Sequence, residues 1–127
     1  MVEKEQALKI RTDIRGGFGI LYPTAHECEQ RNTRLLEDSI RRLLKIGCHT
    51  IVLSFRELRA DHAVLTGIII LCQQFVKKHK SKLVLLKEGS SALNSFDELC
   101  FFLEIGLSEK IDDIPDPGIT ERTKMSA

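Results

Sequence analysis

Two short, almost wholly apolar runs stand out in this chain, IVLSF at 51–55 and LVLLK at 83–87. Between them lies one long apolar stretch, DHAVLTGIIILCQQFVKKHKSK. Runs of that length with no polar alternation read as strands covered on both faces, and the stretch between them as a crossover helix, so the pattern predicts a parallel βαβ unit. Its crossover is expected to be right-handed, because twisted strands pack a helix back onto the sheet that way. Asp61 is the expected N-cap, since its carboxylate can accept the unpaired N–H groups of the first turn. Lys77, Lys78, His79 and Lys80 suit the negative end of the same helix dipole. Val64, Leu65, Ile68, Ile69, Cys72, Phe75 and Val76 recur at helical spacing and should face the sheet. Ala63, Thr66, Gly67, Ile70 and Gln74 form a second face, small near its start, with Ile70 left outside the core.

The flanks follow from the same periodicities. Residues 8–14 alternate apolar and polar and read as a half-buried strand. Arg15-Gly16-Gly17 reads as a tight hairpin turn, and 18–26 as the returning strand, with Pro23 demanding an edge or a bulge. The first helix shows a stripe of Leu35, Leu36, Ile40, Leu43 and Leu44. Asn32 is preferred as its N-cap over a Thr24/Glu27 capping box, and Gly47 is its C-terminal stop. Glu37–Arg41 and Asp38–Arg42 are spaced for ion pairs on its wet side. After a Gly/Ser-rich loop at 88–94, Ser95 and Glu98 form a capping box for a third helix. That helix should bury Phe96, Leu99, Phe102 and Leu103 and end at Gly106, with Leu107 docking back on the core. Residues 110–114 can form a short last strand. The expected fold class is therefore α/β, a small mixed β-sheet covered by three α-helices in the order β-β-α-β-α-β-α, with that final short strand. The expected organisation is a frayed 1–7, one domain over 8–114, and a disordered tail over 115–127.

Composition changes this picture little. At 127 residues and 43% hydrophobic the chain suits one ordinary globular domain. A net charge of +1 argues for neither nucleic acid nor an anionic membrane. The residues after Met1, VEKEQ, do not read as a signal peptide, and the longest apolar run is too short to span a bilayer. The four cysteines form no CxxC pair, so a cytoplasmic location with reduced thiols is expected. His26, Cys28, Cys48 and His49 lack the paired spacing of a zinc site, and Asp112, Asp113 and Asp116 lack that of a calcium loop. No phosphate loop, nucleophile elbow or triad order appears. The expectation is no catalysis, no cofactor and no metal.

Taken together, HECEQRN at 26–32, IVLSFRELRADHAVLTGIII at 51–70 and FLEIGLSEKI at 102–111 resemble a STAS domain. That family includes bacterial anti-sigma factor antagonists and the cytoplasmic tails of sulfate transporters. The first stretch sits where the family has G-E-L-D, the second resembles its strand, polar link and D-S-x-G-L-G-x-L helix start, and the third its closing L-x-x-x-G-L-x-x-x-I element. The resemblance implies a non-catalytic module for signal transduction and transcription regulation, whose partner is an anti-sigma factor or a serine kinase-like protein. It also implies a partner-binding surface at the start of the middle helix, here Asp61, His62, Ala63, Thr66, Gly67, Ile70 and Gln74. The family's phosphorylated serine falls on Ala63, with His62 at the preceding Asp and Gly67 on the second glycine. A one-residue shift puts Asp61 on the Asp and His62 on the serine. The Asp near the end of the family's third strand is Ser54 here. With no serine at the acceptor place, Thr66, one turn on, is the remaining candidate for phosphorylation. The other readings are a STAS scaffold or accessory subunit in a stress-signalling or lipid-transport complex, and a His/Cys metal-binding protein; a homodimer stays open.

Overall fold

The computed structural model describes residues 10–24 and 33–114. Five strands form one mixed sheet in spatial order β1-β2-β3-β4-β5. They are β1 (Arg11–Arg15), β2 (Phe18–Tyr22), β3 (Thr50–Ser54), β4 (Lys82–Leu86) and β5 (Gly106–Ser108). Three helices lie between them: α1 (Thr33–Ile46), α2 (His62–Lys78) and α3 (Asp97–Leu103). The β1–β2 pair is antiparallel and closes at Arg15 opposite Phe18, with Gly16 at φ 57° in the turn. All other neighbours are parallel. The expected βαβ unit is present, with Ile51 opposite Leu83 and Leu53 opposite Leu85.

Alternation along the central strands feeds two separate clusters, because successive side chains point to opposite faces. Leu21, Ile51, Leu53, Leu83 and Leu85 join Leu36, Ile40 and Leu43 of α1, five residues of α2, and Phe96 and Cys100 in one cluster. All three helices thus share one face of the sheet. Phe18, Ile20, Val52 and Leu86 form the other cluster, against Ile114 and Ile111. Burying each of these aliphatic side chains stabilises the fold by about 1.5–3 kcal/mol. Gly19 sits where α1 presses closest on the sheet: a Cβ there would lie 2.8 Å from Leu43 Cδ1.

Each helix ends in a Schellman motif. For α1, Cys48 N–H donates to Leu43 O and Gly47 N–H to Leu44 O, with Gly47 at φ 117°. In α2 the left-handed position falls on Lys80 (φ 57°), with Ser81 N–H donating to Val76 O. In α3 it falls on Glu104 (φ 58°), with Ile105 N–H donating to Cys100 O.

Several expectations are corrected. β1 is exposed along its whole length and Ile14 is 46% exposed, because the strand is a sheet edge; Ile10, just before it, is the buried residue. β2 is an interior strand and stops at Tyr22, so Pro23 lies past its end and needs no bulge. On α1 Arg41 pairs with Asp38 at 2.9 Å, an i,i+3 spacing in place of the expected i,i+4 pairing with Glu37. The third helix starts at Asp97 without a side-chain cap, because a 3₁₀ turn over Ser91–Phe96 takes the place of the expected capping box. Phe96 and Cys100 hold the buried phase of α3, which leaves Phe102 84% exposed. Gly106 does not end that helix but pairs with Val84 in β5. The last strand is Gly106–Ser108, and 111–113 form a 3₁₀ turn that roofs the second cluster through Ile111 and Ile114. The Asn32 and Glu27 cap positions, 1–7 and 115–127 lie outside the described residues.

Candidate functional site

The C-terminal ends of β2, β3 and β4 and the N-terminus of α2 come together at one end of the molecule, where open α/β sheets usually bind their ligands. β3 hands over to the polar link at Phe55, whose N–H still donates to Leu86 O at 3.1 Å. The link runs through Arg56, Leu58 and Arg59 to Asp61. Leu58 is buried, which pins the link to the core and fixes where α2 begins. Asp61 caps α2 as its sequence position implies: its carboxylate accepts the Val64 N–H at 2.9 Å. His62 stacks flat on Phe96, with ring centroids 4.5 Å apart and planes 9° apart. Since Phe96 is a core residue, this contact fastens the first turn of α2 to the segment before α3.

Beyond His62 the outward side of α2 is open. Ala63, Gly67 and Gln74 are exposed, Thr66 and Ile70 are half-buried, and a Cβ at Gly67 would meet nothing within 4 Å. Ile70 is therefore less prominent than its place outside the apolar stripe suggests. The Thr66 hydroxyl donates to His62 O at 2.8 Å and lies 3.5 Å from His62 Nδ1. It is folded back along the helix. The inward stripe is as expected at Leu65, Ile68, Ile69, Cys72 and Val76, but Val64 is 42% exposed. Gln73 takes the extra buried place, donating to Leu103 O at 2.6 Å, and so ties α2 to α3. Nothing in the apolar pattern marks that residue as inward; only a facing carbonyl makes the position suitable for an amide.

Beside this face lies a cleft of ≈ 450 Å³ lined by Phe55, Arg56, Leu58, Arg59, Ala60 and the loop Glu88–Ser91. Ser54, buried at the end of β3, donates to Glu88 Oε1 at 2.7 Å, while Arg56 Nη1 stands 3.8 Å from Glu88 Oε2. Such a half-exposed pair contributes about 1 kcal/mol or less. Glu88 holds φ 46° and Gly89 φ 83°, a loop shape kept by Glu88 N–H donating to Glu109 O and Gly89 N–H to the Glu109 carboxylate. Sequence reasoning placed Ser54 here but missed the Glu88 carboxylate that faces it. No local pattern marks the pair: Glu88 lies two residues past the end of β4, and only the β3–β4 register brings it to Ser54.

Other candidate chemistry does not converge. His26 and Cys28 lie outside the described residues, Cys48 is buried and His49 exposed. Among the described residues no group of three or more His, Cys, Asp or Glu is placed to hold a metal ion. Burial pushes the Cys48 thiol up from its ordinary value. For Cys100 burial comes first, the Asp97 charge adds to it, and Lys87 opposes. Thiols held neutral in this way are poor nucleophiles and poor ligands. No described helix is long and apolar enough to cross a membrane.

No family model and no curated protein matches the chain by sequence. Solved structures match by shape. A Thermotoga maritima protein assigned as an anti-sigma factor antagonist superposes with TM-score 0.59 at 12% identity, over 91% of this chain and 94% of its own. The anti-sigma factor antagonist SpoIIAA in its unphosphorylated form gives 0.52 at 12% identity, over 91% of this chain and 97% of its own. The chain therefore has the STAS-like α/β fold of these antagonists, as its three resembling stretches led one to expect.

Proposed function

We propose that this chain is a non-catalytic regulatory module that docks a protein partner on the outward face of α2, from Asp61 to Gln74. The partner class is an anti-sigma factor or a serine kinase-like protein, and the setting is the cytoplasm. The observation that carries the reading is the two-sidedness of α2. One side is spent on the core, while the other offers an exposed Ala63 and an exposed Gly67 with open space where its side chain would stand. Small residues at a helix start let a second backbone approach closely, and the half-buried Ile70 gives that approach an apolar anchor. The likeness in fold to anti-sigma factor antagonists supports the partner class.

The absent acceptor hydroxyl favours a second reading. None of Asp61, His62 and Ala63 carries a hydroxyl, and that of Thr66 is engaged with His62 O. Phosphorylation at Thr66 requires that bond to be given up. A module without the switch fits a permanent scaffold or accessory subunit better than a toggled antagonist.

The test begins with a partner captured by pull-down and titrated against variants. Ala63→Glu and Thr66→Glu should melt close to wild type and bind that partner roughly tenfold more weakly, about 1.4 kcal/mol. Unchanged binding with an intact fold would move the interface off α2, and the cleft at Arg56 and Glu88 would be next. Mass spectrometry finding phosphate on Thr66 after kinase treatment would overturn the scaffold reading.

A further inference from the structure

Between Lys87 and Lys110 the chain is acidic. From Glu88 to Glu109 the chain carries Glu88, Asp97, Glu98, Glu104 and Glu109 and no basic residue. Within that segment α3 presents Phe101 and Phe102 at 85% and 84% exposure, the largest exposed apolar side chains among the described residues. Asp97 and Glu98 stand one turn before them on the same helix. An aromatic pair this exposed carries no stability for the free chain and is the usual anchor of a contact.

A complementary surface exists on the same molecule. The C-terminal ends of α1 and α2 enclose a cleft of ≈ 400 Å³ lined by Arg41, Leu44, Lys45, His49, His79 and Ser81. Segments 39–55 and 74–87, which build it, contain no acidic residue. Ile46 beside it is 64% exposed. Phe75 lies under His79 with ring centroids 4.8 Å apart, and Arg41 sits 5.3 Å over the same ring while pairing with Asp38. The result is a cationic rim around an apolar floor, the chemistry that receives an aromatic side chain flanked by carboxylates.

We infer that this chain associates with a second copy of itself head to tail, α3 of one copy seating Phe102 in the α1/α2 cleft of the next. Both halves of the pair are on one chain, but α3 adjoins β5 at one end of the sheet, whereas the cleft adjoins α1. α3 meets α2 at Gln73 while Arg41 of α1 stands over Phe75, so α2 lies between the two halves of one molecule. The near-zero net charge puts no long-range repulsion between copies. A contact between two different patches does not close on itself as a twofold dimer does, so it propagates into a ring or an open chain. This surface is separate from the partner face of α2, and its variants leave Asp61–Gln74 untouched.

The test is the mass of the purified chain in solution by light scattering or sedimentation. At low salt the average mass should rise above 14.4 kDa with concentration, and it should fall back at high salt, because the rim charges are screened. Phe102→Glu and Lys45→Glu, both at exposed sites, should melt like wild type, and each alone should stay monomeric. Mixed, they retain one intact α3 face and one intact cleft, so they should form dimers of twice the monomer mass that grow no further. A wild-type chain that stays at monomer mass at every concentration overturns the inference. So does a Phe102→Glu variant that assembles like wild type, or a mixture of the two variants that remains monomeric.

Discussion

α2 and α3 are both apolar-rich helices on the same face of the sheet, yet they use their apolar residues in opposite ways. α2 packs on β4 with α1 on one side and α3 on the other, and commits Leu65, Ile68, Ile69, Cys72 and Val76 to the core. α3 lies at the edge over β5, and only Cys100 within it is fully buried. The 3₁₀ turn before it brings Phe96 inward, which sets the rotation of the helix and turns Phe101 and Phe102 outward. An apolar residue in this fold is core or contact according to how many elements surround it, not according to its type.

The sharpest way to break that contrast is to place the same charge on both helices. Ile69→Asp puts an unpaired carboxylate among fully buried neighbours and should cost roughly 3–5 kcal/mol in urea unfolding. Phe102→Glu should shift stability by no more than about 0.5 kcal/mol. Similar losses at the two sites would mean that α3 is as enclosed as α2.

Gly19→Ala comes next. The new Cβ would fall 2.8 Å from Leu43, and a core that must yield there should lose about 1–3 kcal/mol. Thermal melting at wild-type temperature would show that α1 can lift off the sheet without cost. Asp61→Ala removes the only side-chain cap recorded for α2 among the described residues and should cost about 1 kcal/mol. Helicity measured by circular dichroism should fray at the start of α2, while the α3 segment, which has no such cap, is unaffected.

The smallest effect should carry the opposite sign. Gly67 sits in the interior of α2 with open space around its missing side chain and ordinary helical backbone, so Gly67→Ala should stabilise by about 0.5–1 kcal/mol. A loss of stability would show that Gly67 is packed, and it would remove the open face on which the proposed partner contact rests.

Long periodic signals made the centre of the fold legible in the sequence. The two apolar runs and the 17-residue helix between them gave the parallel βαβ unit, the Asp61 cap and all but the margins of the buried stripe. Val64 and Gln73 show where such a signal ends. They lie at the margins of the stripe, and the facing Leu103 carbonyl decides that an amide rather than a methyl group goes inward. The candidate partner face was legible for the same reason, being what a long stripe leaves over. The Ser54–Glu88 contact was not, because it joins residues 34 apart that meet only once β3 and β4 are in register.

What the sequence determined by itself is the order of elements and the phase of every helix long enough to repeat its pattern, because burial along several turns leaves one rotation free of conflict. What only the tertiary structure decided lies at the edges. A seven-residue α3 spans about two turns and admits more than one apolar face. Its rotation was settled by Phe96 entering the core and by Gln73 reaching Leu103. The fifth strand formed at Gly106–Ser108 rather than at 110–114 because there the backbone meets the open edge of β4, and the absence of a Cβ at Gly106 leaves room for Val84, which a Cβ would meet at 3.0 Å.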